Sequence, residues 1–403
     1  MEIAIIGGGA AGFFAAIAVK ENYPRASVVI FEKSRQLLAK VKISGGGRCN
    51  LTNACSSIKQ LSASYPRGKR IETGVSHLRQ PGCDALVRGP PGAPGGAGGR
   101  LRFPRSQDSQ SVIDCFMQLT GKLHIAIELE RGVESVTRAG DRLQLGFSGG
   151  QAAPRTFDKV IVATGGSPKR AGLAWLERAG HQIAEPVPSL FTFKMPDEPI
   201  TELMGVVVEN TQVSIQGTRF KAEGPLLITH WGMSGPAILK LSAFAARLLH
   251  EKNYHFNVQV NWSNVRNQDL VVAELQSITA NHPKKFLGNF RPYALPDRLW
   301  AYLLEKSALP PDKKWADLGK GGLNRLVSLL TNDSYAVRGR TQFRDEFVTC
   351  GGVSLESIDF KTMQSKVCKN LYFAGEVMDI DGITGGFNFQ AAWTTAFIAA
   401  RLK

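Results

Sequence analysis

IAIIGGGAAGF, residues Ile3–Phe13, carries the reading of the fold. Four apolar residues, Ile3 to Ile6, run without alternation, as in a strand buried on both faces of a parallel sheet. Gly7, Gly9 and Gly12 follow as G-x-G-x-x-G, and an alanine-rich helix continues to about Lys20. A second apolar strand, SVVIFE (Ser27–Glu32), ends in an acid twenty residues after Gly12. Each position has a chemical reason. Gly7 makes the tight turn, Gly9 admits a pyrophosphate to the backbone, and Gly12 lets the helix pack on the strand. The helix N-terminus then faces the phosphates. Glu32 falls where a carboxylate can accept from ribose hydroxyls, which an ordinary glycine turn would not explain. An acid there also disfavours the 2′-phosphate of NADP.

NAD and FAD share this fingerprint, and the rest of the chain separates them. KISGGGRCNLTN (Lys42–Asn53) is a second glycine run. FDKVIVATGGSP (Phe157–Pro168) is a strand ending in Ala-Thr-Gly-Gly. LYFAGEVMDIDGITGGFNFQ (Leu371–Gln390) holds another strand, Gly375-Glu376 and a final pair, Gly385-Gly386. A parallel sheet brings such carboxyl ends to one edge, where ligands bind. FAD is long enough to use them all, with Glu32 at the adenosine ribose and Glu376 at the ribityl chain. A helix starting near Gly386 would aim its N-terminus at the flavin pyrimidine edge and favour the negative charge that builds there on reduction. There is no second G-x-G-x-x-G unit for NAD(P)H. A nicotinamide donor would enter transiently, or dioxygen would act as acceptor.

GGGAAG, SGGGRCNLTN, FPRSQDSQSVID, THWGMSGPAIL, TCGGVSLESID and the LYFAGE block together resemble the BaiN-like, or aminoacetone-oxidase-like, family of bacterial flavoproteins. The resemblance implies a Rossmann-like FAD-binding domain interrupted by an inserted domain, and flavin-dependent oxidoreduction. Matched by motif, it implies FAD contacts at Ala10, Ala11, Glu32, Lys33, Lys40, Gly47, Arg48, Asn50, Val133, Thr164, Gly165, Glu376, Gly386, Phe387 and Asn388. It favours reduction of an activated C=C with NAD(P)H as donor. Amine oxidation with dioxygen is the runner-up.

The fold expected is α/β: an FAD-binding domain in two parts, residues 1–185 and 345–403, around an inserted domain at 186–344. Pro186, Pro188, Pro196 and Pro199 mark an exit from the sheet. GVVVENTQVSIQG (Gly205–Gly217) alternates with period two, HFNVQVNW (His255–Trp262) is a further strand, and helical spacing runs from Gln268 to about Leu330. These features predict a β-barrel-like sheet followed by helices, whose junction with the FAD domain is the natural place for a small-molecule substrate. In LLITHWGMSGPAIL (Leu226–Leu239), His230 is a candidate proton donor or substrate-orienting group, or simply a hydrogen-bonded turn residue. Ser234 is the expected helix cap, with Pro236 in the first turn. The G-x-S-x-G spacing of a hydrolase is missing. Arg48 is the other catalytic candidate, offering charge to cofactor or substrate.

The six cysteines are scattered with no C-x-x-C pair, which suits a reducing cytoplasm without disulfides or a metal site. Cys49 and Cys55 stand one residue too far apart for a C-x4-C flavin disulfide reductase, so Cys49 reads as a packed residue. No apolar run is long enough to span a membrane, and the N-terminus lacks the basic region of a signal peptide. Gly68–Arg102 departs from the rest, with nine glycines and four prolines and neither helical nor strand periodicity. It reads as the product of two compensating reading-frame changes, or as a surface loop peculiar to this chain, and in either case as poorly ordered. The formal charge of the 403-residue chain is +15. Seven basic residues against two acidic between Arg67 and Arg102 supply a third of it. Other basic residues, such as Lys313-Lys314, are spread out without interleaved aromatics, so no nucleic-acid partner is expected. The alternative is a tRNA-modifying flavoprotein. Oligomeric state is left open.

Overall fold

Ile3, Ala4 and Ile5 are fully buried at the centre of a seven-stranded sheet. Five strands are parallel, in the order Leu371–Phe373, Lys159–Val162, Glu2–Ile6, Ser27–Phe31 and Ala126–Glu128. Two short antiparallel strands, Ile358–Asp359 and Gln364–Ser365, extend the edge beyond Leu371–Phe373. The chain thus lays its last strand two places from its first. The computed structural model describes residues 1–53, 57–68, 101–104, 106–149, 152–341 and 348–403. The glycine- and proline-rich departure at 68–102, except its ends, lies outside the described residues, as do Cys55 and the expected boundary at 344/345.

Helices Ala10–Asn22 and Phe387–Ala399 pack together on this sheet. Both are apolar nearly all round, as helices buried between layers must be. Phe14 meets Trp393 with ring centroids 5.6 Å apart. The Asn22 side-chain amide donates to the Ala400 carbonyl at 3.2 Å. The two chain ends therefore share one core.

Two compact units divide the chain: Met1–Ser189 with Phe343–Lys403, and Leu190–Gln342. In the first unit, Pro186 and Pro188 do not end the sheet structure. They lie inside strand Ile183–Ser189, which among the described residues pairs only with Val348–Val353, antiparallel, and is bulged between Ala184 and Val187. A strand paired on one side tolerates residues that cannot donate to a ladder.

The second unit is a six-stranded antiparallel sheet, in the order Phe193–Lys194, Gly232–Ser234, Lys221–Thr229, Val207–Ile215, His255–Asn261 and Asp333–Arg338. A bridge between Phe193 and Arg340, with the Lys194 N–H donating to the Gly339 carbonyl at 2.9 Å, brings its edges together into a nearly closed barrel. Alternate residues, among them Val213, Ile215, Leu226, Ile228, Val258 and Val260, fill the interior. Helices Pro236–Phe244, Gln268–Asn281, Asp297–Lys306 and Gly319–Asn332 cover it. Among the described residues no helix is long and apolar enough to cross a membrane.

Candidate flavin site

At the carboxyl end of Glu2–Ile6 the chain turns at Gly7, with φ of +114°. A Cβ on Gly12 would overlap the Gly7 carbonyl oxygen, so glycine is required for the helix to start this close to the strand. Gly9 differs: a Cβ there would meet nothing within 4 Å. The helix beginning at Ala10 has Gly9 as N-cap and no capping side chain. An open backbone position in front of an uncapped helix N-terminus is what a phosphate needs.

Glu32 lies beside this turn, but the chain itself engages much of its carboxylate. Oε2 accepts from the Gly8 N–H at 2.7 Å, and Oε1 accepts from the Ser34 N–H and hydroxyl at 2.9 Å each. A carboxylate has about four acceptor sites, so one remains for a ligand hydroxyl. The Glu32 carbonyl accepts from the Arg131 N–H at 2.8 Å. That contact brings Gly132, just before strand Val133–Ala139, to exposed Lys33, where a Cβ on Gly132 would lie 3.5 Å from that of Lys33. At the neighbouring strand end, Thr164 is exposed, and Gly165, with φ of +72°, has open space where a Cβ would sit.

The second half of the edge is assembled from distant segments. Gly375, with φ of +76°, would place a Cβ 2.9 Å from that of Ala11, so the last strand's turn touches the first helix. Glu376 accepts from the Thr349 N–H at 2.7 Å through Oε1 and pairs with Lys40 at 3.0 Å through Oε2. Gly47 lies in the turn after helix Ala39–Ile43, and its carbonyl accepts from the Ser109 N–H at 2.8 Å. Asn50, oriented to satisfy its neighbours, accepts from the Gly386 N–H at 3.2 Å and donates to the Thr52 carbonyl at 3.3 Å. The Asn53 amide donates to the Gly385 carbonyl at 2.9 Å, and the Trp393 indole N–H to the Leu51 carbonyl at 2.8 Å. Gly386 has φ of +87°, and helix Phe387–Ala399 begins after it without a capping side chain. Tyr65 donates to the Phe387 carbonyl at 2.8 Å. The Asn388 side chain is turned back onto Gly382, accepting from its N–H at 2.7 Å and donating to its carbonyl at 3.1 Å. It shapes the loop before the helix.

Four further residues are placed by their local surroundings. Arg48 is exposed, with its guanidinium 4.7 Å from the Phe103 ring centroid. Cys49 is fully buried, and burial pushes its thiol above the ordinary value, as befits a packed residue and not a thiolate. His230 belongs to the second unit, exposed in the turn between strands Lys221–Thr229 and Gly232–Ser234, edge-on to Trp231 at 4.5 Å. Ser234 is not the helix cap. It ends a strand, and Gly235, with φ of +93°, takes the cap position without a side chain.

The sequence reading missed a buried charge network under the final loop. Arg67 pairs with Asp379 at 3.1 Å and with Asp381, and donates to the Cys350 sulfur at 3.3 Å. The Ser189 hydroxyl donates to Asp381 at 2.7 Å. Both aspartates are almost completely buried. Cys350, Asp379 and Asp381 group closely enough to suggest metal ligands, but a guanidinium already lies among them as the cation. The only signal was a pair of acids two apart in VMDID, which nothing nearby in the chain explains.

These features fit FAD. Open glycine positions line the strand ends, a carboxylate keeps one free acceptor site, and uncapped helix N-termini stand at both ends of the edge. The chain matches the HI0933-like protein Rossmann domain family over residues 1–402. It is 27% identical over 410 residues to the 3-dehydro-bile acid delta(4,6)-reductase of Clostridium scindens, an alignment covering 99% of this chain and 98% of that protein. It is 28% identical over 429 residues to the ribosomal RNA dihydrouridine synthase of Haemophilus influenzae, covering 99% and 97%. The enzyme of the same name from Escherichia coli is also 28% identical, covering 98% and 96%. With a family match that runs almost end to end, the chain belongs to the HI0933-like Rossmann family, the BaiN-like FAD-dependent oxidoreductases.

Proposed function

We propose that this protein reduces a carbon–carbon double bond conjugated to a carbonyl, with NAD(P)H as electron donor. The observation that carries the reading is the chemistry shared by the names of its relatives. A 3-oxo steroid unsaturated at positions 4 and 6 and the uracil ring that becomes dihydrouridine both present such a bond. The two ribosomal RNA enzymes also weaken the expectation that nucleic acid is not a partner. RNA uridine therefore stands beside a small enone as substrate class.

FAD, when bound, supplies the hydride-transfer chemistry. In this reading Gly7, Gly9, Ala10, Ala11 and Gly12 hold its pyrophosphate. Glu32 takes the adenosine ribose with its remaining acceptor site, between Lys33 and Val133. Thr164 is exposed and Gly165 leaves room at the adjoining strand end, and Gly375 lets the last strand's turn approach Ala11. Lys40, Gly47, Arg48 and Asn50 approach from the second glycine run, with Lys40 and Glu376 presenting a balanced charge pair. The turn Gly385-Gly386 and the first-turn amides of Phe387 and Asn388 favour negative charge at the flavin end.

Stopped-flow flavin reduction with NADH and NADPH tests the donor. Reoxidation of the reduced protein by a 3-oxo-4-ene steroid, or by uridine-containing ribosomal RNA with a two-hydrogen mass gain on the nucleoside, tests the acceptor. Rapid reoxidation by dioxygen alone, with neither acceptor turned over, would sink the proposal.

A further inference from the structure

Two lysine pairs that lie far apart in the chain meet on the surface of the second unit. Phe286 and Lys314 form an antiparallel bridge. The Leu287 N–H donates to the Lys313 carbonyl at 2.8 Å and the Trp315 N–H to the Lys285 carbonyl at 2.9 Å. The Gly288 N–H donates to Pro311 at 2.8 Å and the Ala316 N–H to Pro283 at 3.1 Å. Segments 283–288 and 311–316 are thus locked into a short ribbon carrying four lysines against one acid, Asp312.

Alternation along such a ribbon sorts its side chains. Leu287 and Trp315 turn inward and are fully buried. The Trp300 indole stacks on Trp315 and donates to the Leu287 carbonyl at 2.7 Å, fixing the ribbon from beneath. Lys284, Phe286 and Lys314 fall on the outer face and are exposed. Phe286 keeps 40% of its surface in water, unusual for a phenylalanine with a core beside it. None of the four lysines makes an ion pair among the described residues. Basic residues that looked scattered and free of aromatics in the sequence are therefore gathered around an exposed ring.

We propose that this ribbon binds single-stranded RNA, with a base stacked on Phe286 and phosphates at the flanking lysines. An exposed ring flanked by cations matches the stacking-plus-charge recognition of unpaired strands. The proposal rests on the reading above that uridine in RNA is a substrate class of this protein.

The test uses the full-length holoprotein and a labelled oligouridylate, with binding followed by fluorescence anisotropy over a range of salt. Phe286→Ala should weaken binding by at least about fivefold with little change in salt slope. Lys284→Gln with Lys314→Gln should flatten the slope of log K against log salt by about 1.4, or about 0.7 per lost phosphate contact. Unchanged flavin absorbance in each variant shows that folding is intact. Wild-type affinity in both variants would overturn the proposal. So would the absence of RNA binding by the unaltered protein, or Phe286-dependent capture of phosphatidylglycerol vesicles in place of RNA. Reduction of the steroid enone is scored separately. Failure to reduce either the steroid or the uridine of the bound RNA, with RNA binding intact, counts against the proposed reaction and leaves the ribbon standing.

Discussion

The turn at Gly7–Gly12 is held by its own neighbours, whereas the turn at Gly385-Gly386 is held by residues more than 300 positions away. The first needs a missing side chain at Gly12, a positive φ at Gly7 and one carboxylate at Glu32. The second needs Asn50 and Asn53 on its backbone, the Tyr65 hydroxyl on Phe387, and a half-buried cation, Arg67, beneath Asp379 and Asp381. Both present an uncapped helix N-terminus at the same sheet edge. A local turn of this kind can form once its strand and helix meet. The distant one forms only when two separate segments, Asn50–Asn53 and Tyr65–Arg67, are already in place, so damage to those segments should fall on it first.

Breaking the distant support should give the largest effect. Arg67→Ala leaves two buried carboxylates without their cation, a change that costs about 3–5 kcal/mol. A fall in the urea midpoint measures it, and an unchanged midpoint would mean that the network does not hold the loop. Gly386→Val comes next. It forces a β-branched residue into a left-handed conformation, at roughly 1–3 kcal/mol of strain. It also sets a Cβ 2.7 Å from the Thr52 carbonyl carbon. Reduced FAD content and a shifted flavin potential are expected. Normal binding with an unaltered potential would show that this turn is structural only.

The local turn should yield less. Glu32→Ala removes one ligand acceptor site and three hydrogen bonds made to the chain, and should weaken FAD retention by about 1.5–3 kcal/mol. Equilibrium dialysis checks it, and unchanged retention would remove Glu32 from the site. The smallest effect concerns His181, buried beneath the same sheet, with its ring on the Leu176 carbonyl and the Ser365 hydroxyl. Burial pushes its pKa below the ordinary 6.5. The unfolded chain then binds the proton more readily than the folded one. The stability contributed is present above about pH 6.5 and lost as pH falls below it. His181→Asn should reduce the pH dependence of the melting temperature in that range. An identical profile would place the titration elsewhere.

The sequence by itself determined the Rossmann edge, the cofactor class, and a barrel-like sheet with helices in the interrupted chain, but not that strand Asp333–Arg338 returns to the barrel after those helices. These rest on local chemistry: a buried apolar run, glycines where backbone must come close, an acid at the end of the next strand, and period-two alternation. Ser234 was misread because Ser-Gly-Pro favours a cap on propensity. The chain instead extends a strand through Ser234, and Gly235 supplies the positive φ of the bend into the helix. Pro186 and Pro188 were misread because an edge ribbon spares the donors that an inner strand would need. Only the tertiary structure decided what joins distant positions: Arg67 beneath Asp379 and Asp381, Asn50 on Gly386, Lys40 on Glu376, and Phe286 beside Lys314. A charge buried with its partner, or a ring placed between lysines, depends on where the backbone returns in space. No local pattern of residues encodes that return.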